Sequence, residues 1–232
     1  MRLINEKGGM GSVIGDVLPL AIGIAISPVP IMAAVLMLMS PRARSTSLGF
    51  LLGWVLGITV AVVVFTLLSS VLPGQDSSGS APVSGVIKIV LGVLLLLLSI
   101  KQWRGRPADG AEPELPKWMA AIDSMTAGKG LGLGFLLAAV NPKNLLFAIS
   151  AAVIIGAAGL SLGQTSVVLV IFIVLAASTV LVPVVGYFVA SDRMAGPLDR
   201  LRLWLADNNN AIMAVLLLVI GVSMIGKGLG DF

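Results

Sequence analysis

The sequence has no cysteine and no histidine among its 232 residues, and only 11% of its residues are charged. Without cysteine the chain forms no disulfide and carries out no thiol redox chemistry. Without histidine it lacks the usual side chain of proton relays and of many metal sites. A soluble domain carries roughly 25% charged residues to cover its surface. The low charge therefore excludes an ordinary soluble protein.

Apolar residues are abundant instead and make up 57% of the chain. Several apolar runs exceed the roughly 20 residues that cross a bilayer as a helix. They are too long and too continuously apolar for barrel strands, in which apolar and polar residues alternate. We therefore predict an all-α polytopic membrane protein, with 1–232 as one membrane domain. Its six predicted transmembrane helices are about 13–39, 47–72, 84–103, 130–156, 164–190 and 210–229.

The basic residues separate by side of the membrane. Ten lie on one predicted side: Arg42, Arg44, Lys101, Arg104, Arg106, Lys117, Lys129, Arg193, Arg200 and Arg202. Four lie on the other: Arg2, Lys7, Lys88 and Lys227. Because cytoplasmic loops carry an excess of Lys and Arg, the first, third and fifth loops should be cytoplasmic and both termini extracytoplasmic. We interpret the basic residues as an orientation signal, so no nucleic-acid partner is expected.

The longest predicted loop, at about 104–129, contains the segment "PKWMAAIDSM" (116–125). Trp118, Ile122 and Met125 recur there at helical spacing. This pattern favours an interfacial helix lying on the cytoplasmic face of the membrane. An ordinary amphipathic loop helix is an equal alternative.

An internal repeat links "AISPVPIMAAV" (25–35) to "AVNPKNLLFAI" (139–149) at an offset of 114 residues. Pro28 matches Pro142, and Ser27 matches Asn141. Repeat 1 would cover about 13–103 and repeat 2 about 130–229. Because each repeat has three spans, the second must be inverted, a plan that secondary transporters use. We therefore expect span 1 to be retained, although the N-terminal residues resemble a signal peptide.

The two matched prolines lie near the middle of spans 1 and 4. Proline removes a backbone donor and disrupts the helix, and the freed polar groups need partners in protein, water or substrate. We therefore predict paired helix breaks that form a substrate site at the membrane midplane. Its candidate residues are Ser27, Pro28, Pro30, Asn141, Pro142, Lys143 and Asn144. Further residues that could line the cavity or break span 5 are Ser150, Ser178, Thr179 and Pro183.

Lys143 is an ionisable residue near the centre of span 4, a position that costs a few kcal/mol and indicates function. Of the eleven carboxylates, only Asp16 lies within a span. It is roughly 18 Å from Pro28 along a helix. Lys143 therefore binds an anionic substrate group, caps carbonyls freed by a helix break, or is a neutral amine that carries a proton. Asp16 and Lys143 are the candidates for ion or proton coupling.

Span 2 contains "GFLLGWVLG", in which Gly49, Gly53 and Gly57 are four residues apart. Small residues at this spacing let membrane helices approach closely. We favour packing within the bundle, with a homodimer as the alternative.

Three stretches together resemble one family of membrane proteins. They are "LPLAIGIAISPVPIMAAVLMLMSPRAR" (18–44), "GFLLGWVLG" (49–57) and "PKWMAAIDSMTAGKGLGLGFLLAAVNPKNLLFAISAA" (116–152). The resemblance is to the GAP family, the glycolipid- or sulfolipid-addressing proteins of actinobacteria within the LysE transporter superfamily. It implies a six-helix inverted-repeat fold in the bacterial plasma membrane and outward movement of cell-envelope glycolipids or peptidoglycolipids. The superfamily's motifs correspond to Pro28, Pro30, Asn141, Pro142 and Lys143.

We therefore expect a secondary transporter or exporter of an anionic envelope lipid, with no cofactor and no metal. One alternative is an exporter of small solutes such as amino acids or ions. Another is a non-transporting accessory protein that acts with a lipid-export partner. An enzyme is not expected, because there is neither a histidine nor a pair of membrane aspartates for hydrolysis.

Overall fold

The computed structural model describes residues 9–71, 80–105, 124–230 and 232. Their backbone is almost entirely helical, and no strand occurs among these residues. The seven helices of this part of the chain are α1 (Met10–Ala25), α2 (Pro28–Leu38), α3 (Ala43–Val71), α4 (Ser80–Arg104), α5 (Ala127–Ala139), α6 (Pro142–Ala157) and α7 (Leu162–Leu229).

The helices supply up to six candidate membrane spans. Four segments are each long and apolar enough to cross a membrane: Ala43–Ser69, Gly85–Arg104, Leu162–Val189 and Asp207–Leu229. The pairs α1–α2 and α5–α6 pass the same test when each bent pair is taken as one span. The predicted all-helical, multi-pass class is confirmed, and the spans begin and end within a few residues of the predicted positions.

Both predicted helix breaks are confirmed. The axis bends by 50° between α1 and α2 and by 59° between α5 and α6. Pro28 and Pro142 are the first residues of α2 and α6. Proline is well tolerated at this position, because the first turn of a helix has no internal acceptor for its N–H groups. The expectation that Pro183 breaks span 5 is wrong, since the helical backbone of α7 continues through it.

Helix α7 contains 68 residues and both of the last two predicted spans, so the link between them is helical. Thr179 bonds to the backbone of Ala25. Ile220 lies beside Gly23, where an added Cβ atom would be 2.9 Å from its Cδ1 atom. In a straight helix Thr179 and Ile220 would be about 60 Å apart. Because both contact the end of α1, α7 must fold back on itself between the two spans.

Helices α3 and α5 lie side by side with their backbones in close contact. A Cβ atom added at Gly49 would overlap the backbone of Ala127, and one added at Gly53 would overlap Leu131. The residue numbers rise together along the two helices, so α3 and α5 are parallel. The glycines of span 2 therefore serve packing within the bundle, as the favoured interpretation predicted. The homodimer alternative stays a prediction.

Helix α4 packs on the second half of α7 in the opposite sense. Ser99 Oγ donates to the Ala214 oxygen at 2.7 Å. A Cβ atom added at Gly92 would be 2.8 Å from the Gly221 oxygen. Rising numbers along α4 are paired with falling numbers along α7, so the two segments are antiparallel. The buried core between the helices is dominated by Trp54, Phe50, Phe147 and Phe172.

Of the predicted interfacial helix at 116–125, the structure describes only Ser124 and Met125. The prediction therefore falls outside the described residues and stays a prediction. Met125 itself is buried against the bundle.

Gly53→Ala is expected to destabilise the protein by about 1–3 kcal/mol, because the added methyl group must push α3 away from the α5 backbone. Gly132→Ala on α5 is the matched control, since nothing lies within 4 Å of its added Cβ atom. Alanine in a helix is slightly more stable than glycine, so the control should unfold at the same or a higher temperature. Thermal unfolding in detergent tests both variants, and equal losses for the two would contradict the packing interpretation.

Candidate functional site

The first helix break is held by a side chain from another span. Ala25 is the last residue of α1, where the helix no longer supplies donors for its final carbonyls. The Thr179 hydroxyl of α7 donates to the Ala25 oxygen. Ser27 is buried at the start of α2, but its side chain makes no capping hydrogen bond. Pro28 and Pro30 leave little for a ligand here, because neither has a backbone N–H group.

The second break is held by its own asparagines. Asn141 Oδ1 accepts a hydrogen bond from the Lys143 backbone N–H at 3.1 Å, so Asn141 caps α6. Asn144 Nδ2 donates to the Leu137 oxygen in the last turn of α5 at 2.9 Å. Both predicted ligands therefore have structural roles in this conformation. Asn144 Oδ1 is buried and has no hydrogen-bond partner. Because an amide oxygen only accepts hydrogen bonds, it suits a ligand's donor group and not an anion.

Lys143 lies where three helices meet. Its Nζ atom on α6 is 3.5 Å from the Gly23 oxygen of α1 and 3.2 Å from Met213 Sδ of α7. The same atom lies 5.9 Å from the centroid of the Phe147 ring. A contact of 3.5 Å is at the long end for a hydrogen bond, and a thioether is a weak acceptor. Much of the bonding capacity of this side-chain nitrogen is therefore unused.

No carboxylate contacts Lys143 in the described part of the chain. Asp16, the one acidic residue within a predicted span, instead forms an ion pair of 2.6 Å with Lys227 in the last turn of α7. Lys227 Nζ also lies 3.5 Å from the Asp16 backbone oxygen. The pair ties the start of α1 to the end of α7. A role of Asp16 in ion or proton coupling stays a prediction.

The two remaining predicted serines, Ser178 and Ser150, differ in whether their hydroxyl groups have a partner. Ser178 donates to the Leu175 oxygen of its own helix at 2.7 Å, as a packed serine does. Ser150 lies two turns after Lys143 on α6, and its Oγ atom is buried without a partner. Among residues 9–71, 80–105 and 124–230, no three acidic side chains cluster as a metal site would require.

Sequence reasoning missed three residues that contact Lys143: Gly23, Phe147 and Met213. Of these three, only Gly23 could have been found from the sequence, because it aligns with Leu137 at the repeat offset of 114 residues. The Gly23 and Leu137 carbonyls occupy matching positions, and each is contacted by a side-chain nitrogen of the first turn of α6. Met213 is 70 residues from Lys143 and becomes its neighbour only because α7 folds back.

The match to a known family covers both helix breaks and all three residues of the Asn-Pro-Lys motif. Residues 17–230 match the family model described as Sap, sulfolipid-1-addressing protein. The chain belongs to this family. Searches of curated proteins and of solved structures find no significant match. The family confirms the sulfolipid-addressing part of the predicted resemblance, and membership of the wider LysE superfamily stays a prediction.

In this sulfolipid-addressing family member, Thr179→Val is expected to lower stability by about 1–3 kcal/mol, since the Ala25 carbonyl would lose its donor in an apolar setting. Thr59→Val is the matched control. Thr59 Oγ1 bonds to the Val55 oxygen of its own helix, and that carbonyl keeps its helical N–H donor. Thermal unfolding of the two variants should separate them, and an equally small loss for both would show that the cap at the break contributes nothing.

Proposed function

We propose that the protein is a secondary transporter or exporter that moves an anionic glycolipid or peptidoglycolipid across or out of the bacterial plasma membrane. The observation that carries the proposal is the placement of the Lys143 side chain. It lies at a helix break and has no carboxylate partner in the described part of the chain. The family to which the chain belongs is that of the sulfolipid-1-addressing protein. A sulfolipid headgroup carries the negative charge that this site lacks.

The energetic argument rests on the setting of that charge. An ionised side chain inside a membrane bundle costs at least a few kcal/mol unless a partner or water offsets the cost. One long carbonyl contact and one thioether supply little of that compensation. A sulfate, phosphate or carboxylate group would supply a charge-assisted hydrogen bond, which is shorter and stronger than a neutral one. Substrate binding would therefore offset the free-energy cost of keeping Lys143 ionised inside the bundle.

An inverted repeat within the LysE superfamily is part of the proposal, and helix packing supports it. In that plan span 1 corresponds to span 4, span 2 to span 5 and span 3 to span 6. The contact between spans 2 and 4, made by α3 and α5, then has its counterpart between spans 5 and 1, where Thr179 meets Ala25. Spans 3 and 6 would face each other antiparallel, as α4 and the second half of α7 do.

Orientation and energy source complete the proposal. The excess of basic residues on one side supports cytoplasmic odd-numbered loops and extracytoplasmic termini. The sequence has no nucleotide-binding loop, so a gradient, a partner protein or the lipid's own distribution would drive transport. We propose no enzymatic activity, cofactor or metal.

Lys143→Gln is expected to abolish transport of a fluorescent anionic lipid, such as labelled phosphatidic acid, in reconstituted vesicles, because glutamine has no charge to offer the headgroup. The assay follows how much of the label a membrane-impermeant quencher reaches. Lys101→Gln is the matched control, since Lys101 is exposed at the end of α4. It should transport as the wild type does.

The alternatives give different outcomes in the same vesicles. Unchanged transport by Lys143→Gln would refute the anion site and favour a capping role for this residue. Uptake of an amino acid that requires Lys143, with no movement of lipid, would favour small-solute export. Absence of any transport until a partner protein is added would favour the accessory role.

A further inference from the structure

We infer that Gly23 is a positioning residue that sets where the Lys143 ammonium group meets the anionic headgroup. The inference rests on the proposed function and extends it to a residue of another helix. Gly23 lies in the last turns of α1 and is buried. Its backbone carbonyl contacts Lys143 of α6, and its lack of a side chain leaves room for the Phe147 ring of α6.

The backbone contribution is the carbonyl group. The Gly23 oxygen lies 3.5 Å from Lys143 Nζ and is the only oxygen within hydrogen-bond distance of this nitrogen among the described residues. Met213 Sδ, at 3.2 Å, lies on another helix. These two contacts hold the amine between α1 and α7. The ammonium group is thus held without a competing carboxylate, which leaves it available to an anion.

The missing side chain makes the second contribution. A Cβ atom added at Gly23 would be 2.7 Å from Phe147 Cε2 and 2.9 Å from Ile220 Cδ1. Such distances are too short for carbon atoms, which prefer about 3.5–4.0 Å. Phe147 is fully buried, and its ring cannot accept a Cβ atom at that distance without moving. Any side chain at position 23 would therefore displace the Phe147 ring, over which the Lys143 ammonium lies.

Comparison of the two repeats indicates that this arrangement exists once. At the offset of 114 residues, Gly23 corresponds to Leu137 and Lys143 to Val29. The second break thus has a large side chain where the first has none. The first break has an apolar residue where the second has a charge. Glycine at position 23 and lysine at position 143 therefore form one site across the two breaks.

The test measures binding of decyl sulfate by calorimetry to the full-length protein in an uncharged detergent. Gly23→Ala should raise the half-saturating concentration about tenfold, through displacement of Phe147 and hence of Lys143. Gly15→Ala on the same helix is the matched control, because nothing lies within 4 Å of its added Cβ atom. It should bind within about twofold of the wild type.

A second background separates positioning from general damage to the fold. Leucine at position 147 lacks the Cε2 atom, and valine at position 220 lacks the Cδ1 atom. In the Phe147→Leu, Ile220→Val background, Gly23→Ala should therefore have no further effect on decyl sulfate binding, which is the signature of coupled sites. Thermal unfolding of each variant establishes that the folded protein is being measured.

The outcomes distinguish this inference from the proposed function. If Lys143→Gln abolishes decyl sulfate binding and Gly23→Ala leaves it unchanged, the positioning role of Gly23 is refuted while the anion site stands. A full tenfold effect that persists in the Phe147→Leu, Ile220→Val background would also refute it. If Lys143→Gln binds decyl sulfate as the wild type does, the proposed anion site itself fails.

Discussion

The rest of the structure depends on one constraint, that a polar backbone group in apolar surroundings needs a hydrogen-bond partner. Two spans are broken at proline, so carbonyls at the ends of α1 and α5 lose their helical donors. Three side chains reach these ends: Thr179 contacts Ala25, Asn144 contacts Leu137, and Lys143 contacts Gly23. The breaks are thereby stable enough to exist within a membrane bundle.

That constraint also decides which polar residues remain for a ligand. Asn141 and Asn144 complete the second break, and the prolines of the first break remove donors from α2. Lys143 differs, because one long carbonyl contact and one thioether contact satisfy only part of the bonding capacity of its side-chain nitrogen. The candidate site is therefore narrower than the cluster of polar residues suggests. Its central feature is a single lysine side chain held between three helices.

Close packing makes that geometry possible. Glycines on α3 bring its backbone against α5, and Gly23 lets α6 and α7 approach α1. Interiors of this density transmit small displacements, since there is little free volume to absorb them. One methyl group added at Gly53 or Gly23 is therefore enough to displace the neighbouring atoms. The bundle holds Lys143 in place through residues that carry no charge themselves.

The sequence by itself determined the apolar spans, the two breaks and the place of Lys143 beside the second break, because hydrophobic length and proline geometry act locally along the chain. Only the tertiary structure decided that Asp16 pairs with Lys227 and that Gly23 and Met213 meet Lys143. Those partners are 70 to 211 residues apart in sequence. Met213 and Lys227 reach their partners because α7 folds back, and Gly23 meets Lys143 because α1 packs against α6. Contacts between distant helices of this kind are not specified by any local pattern.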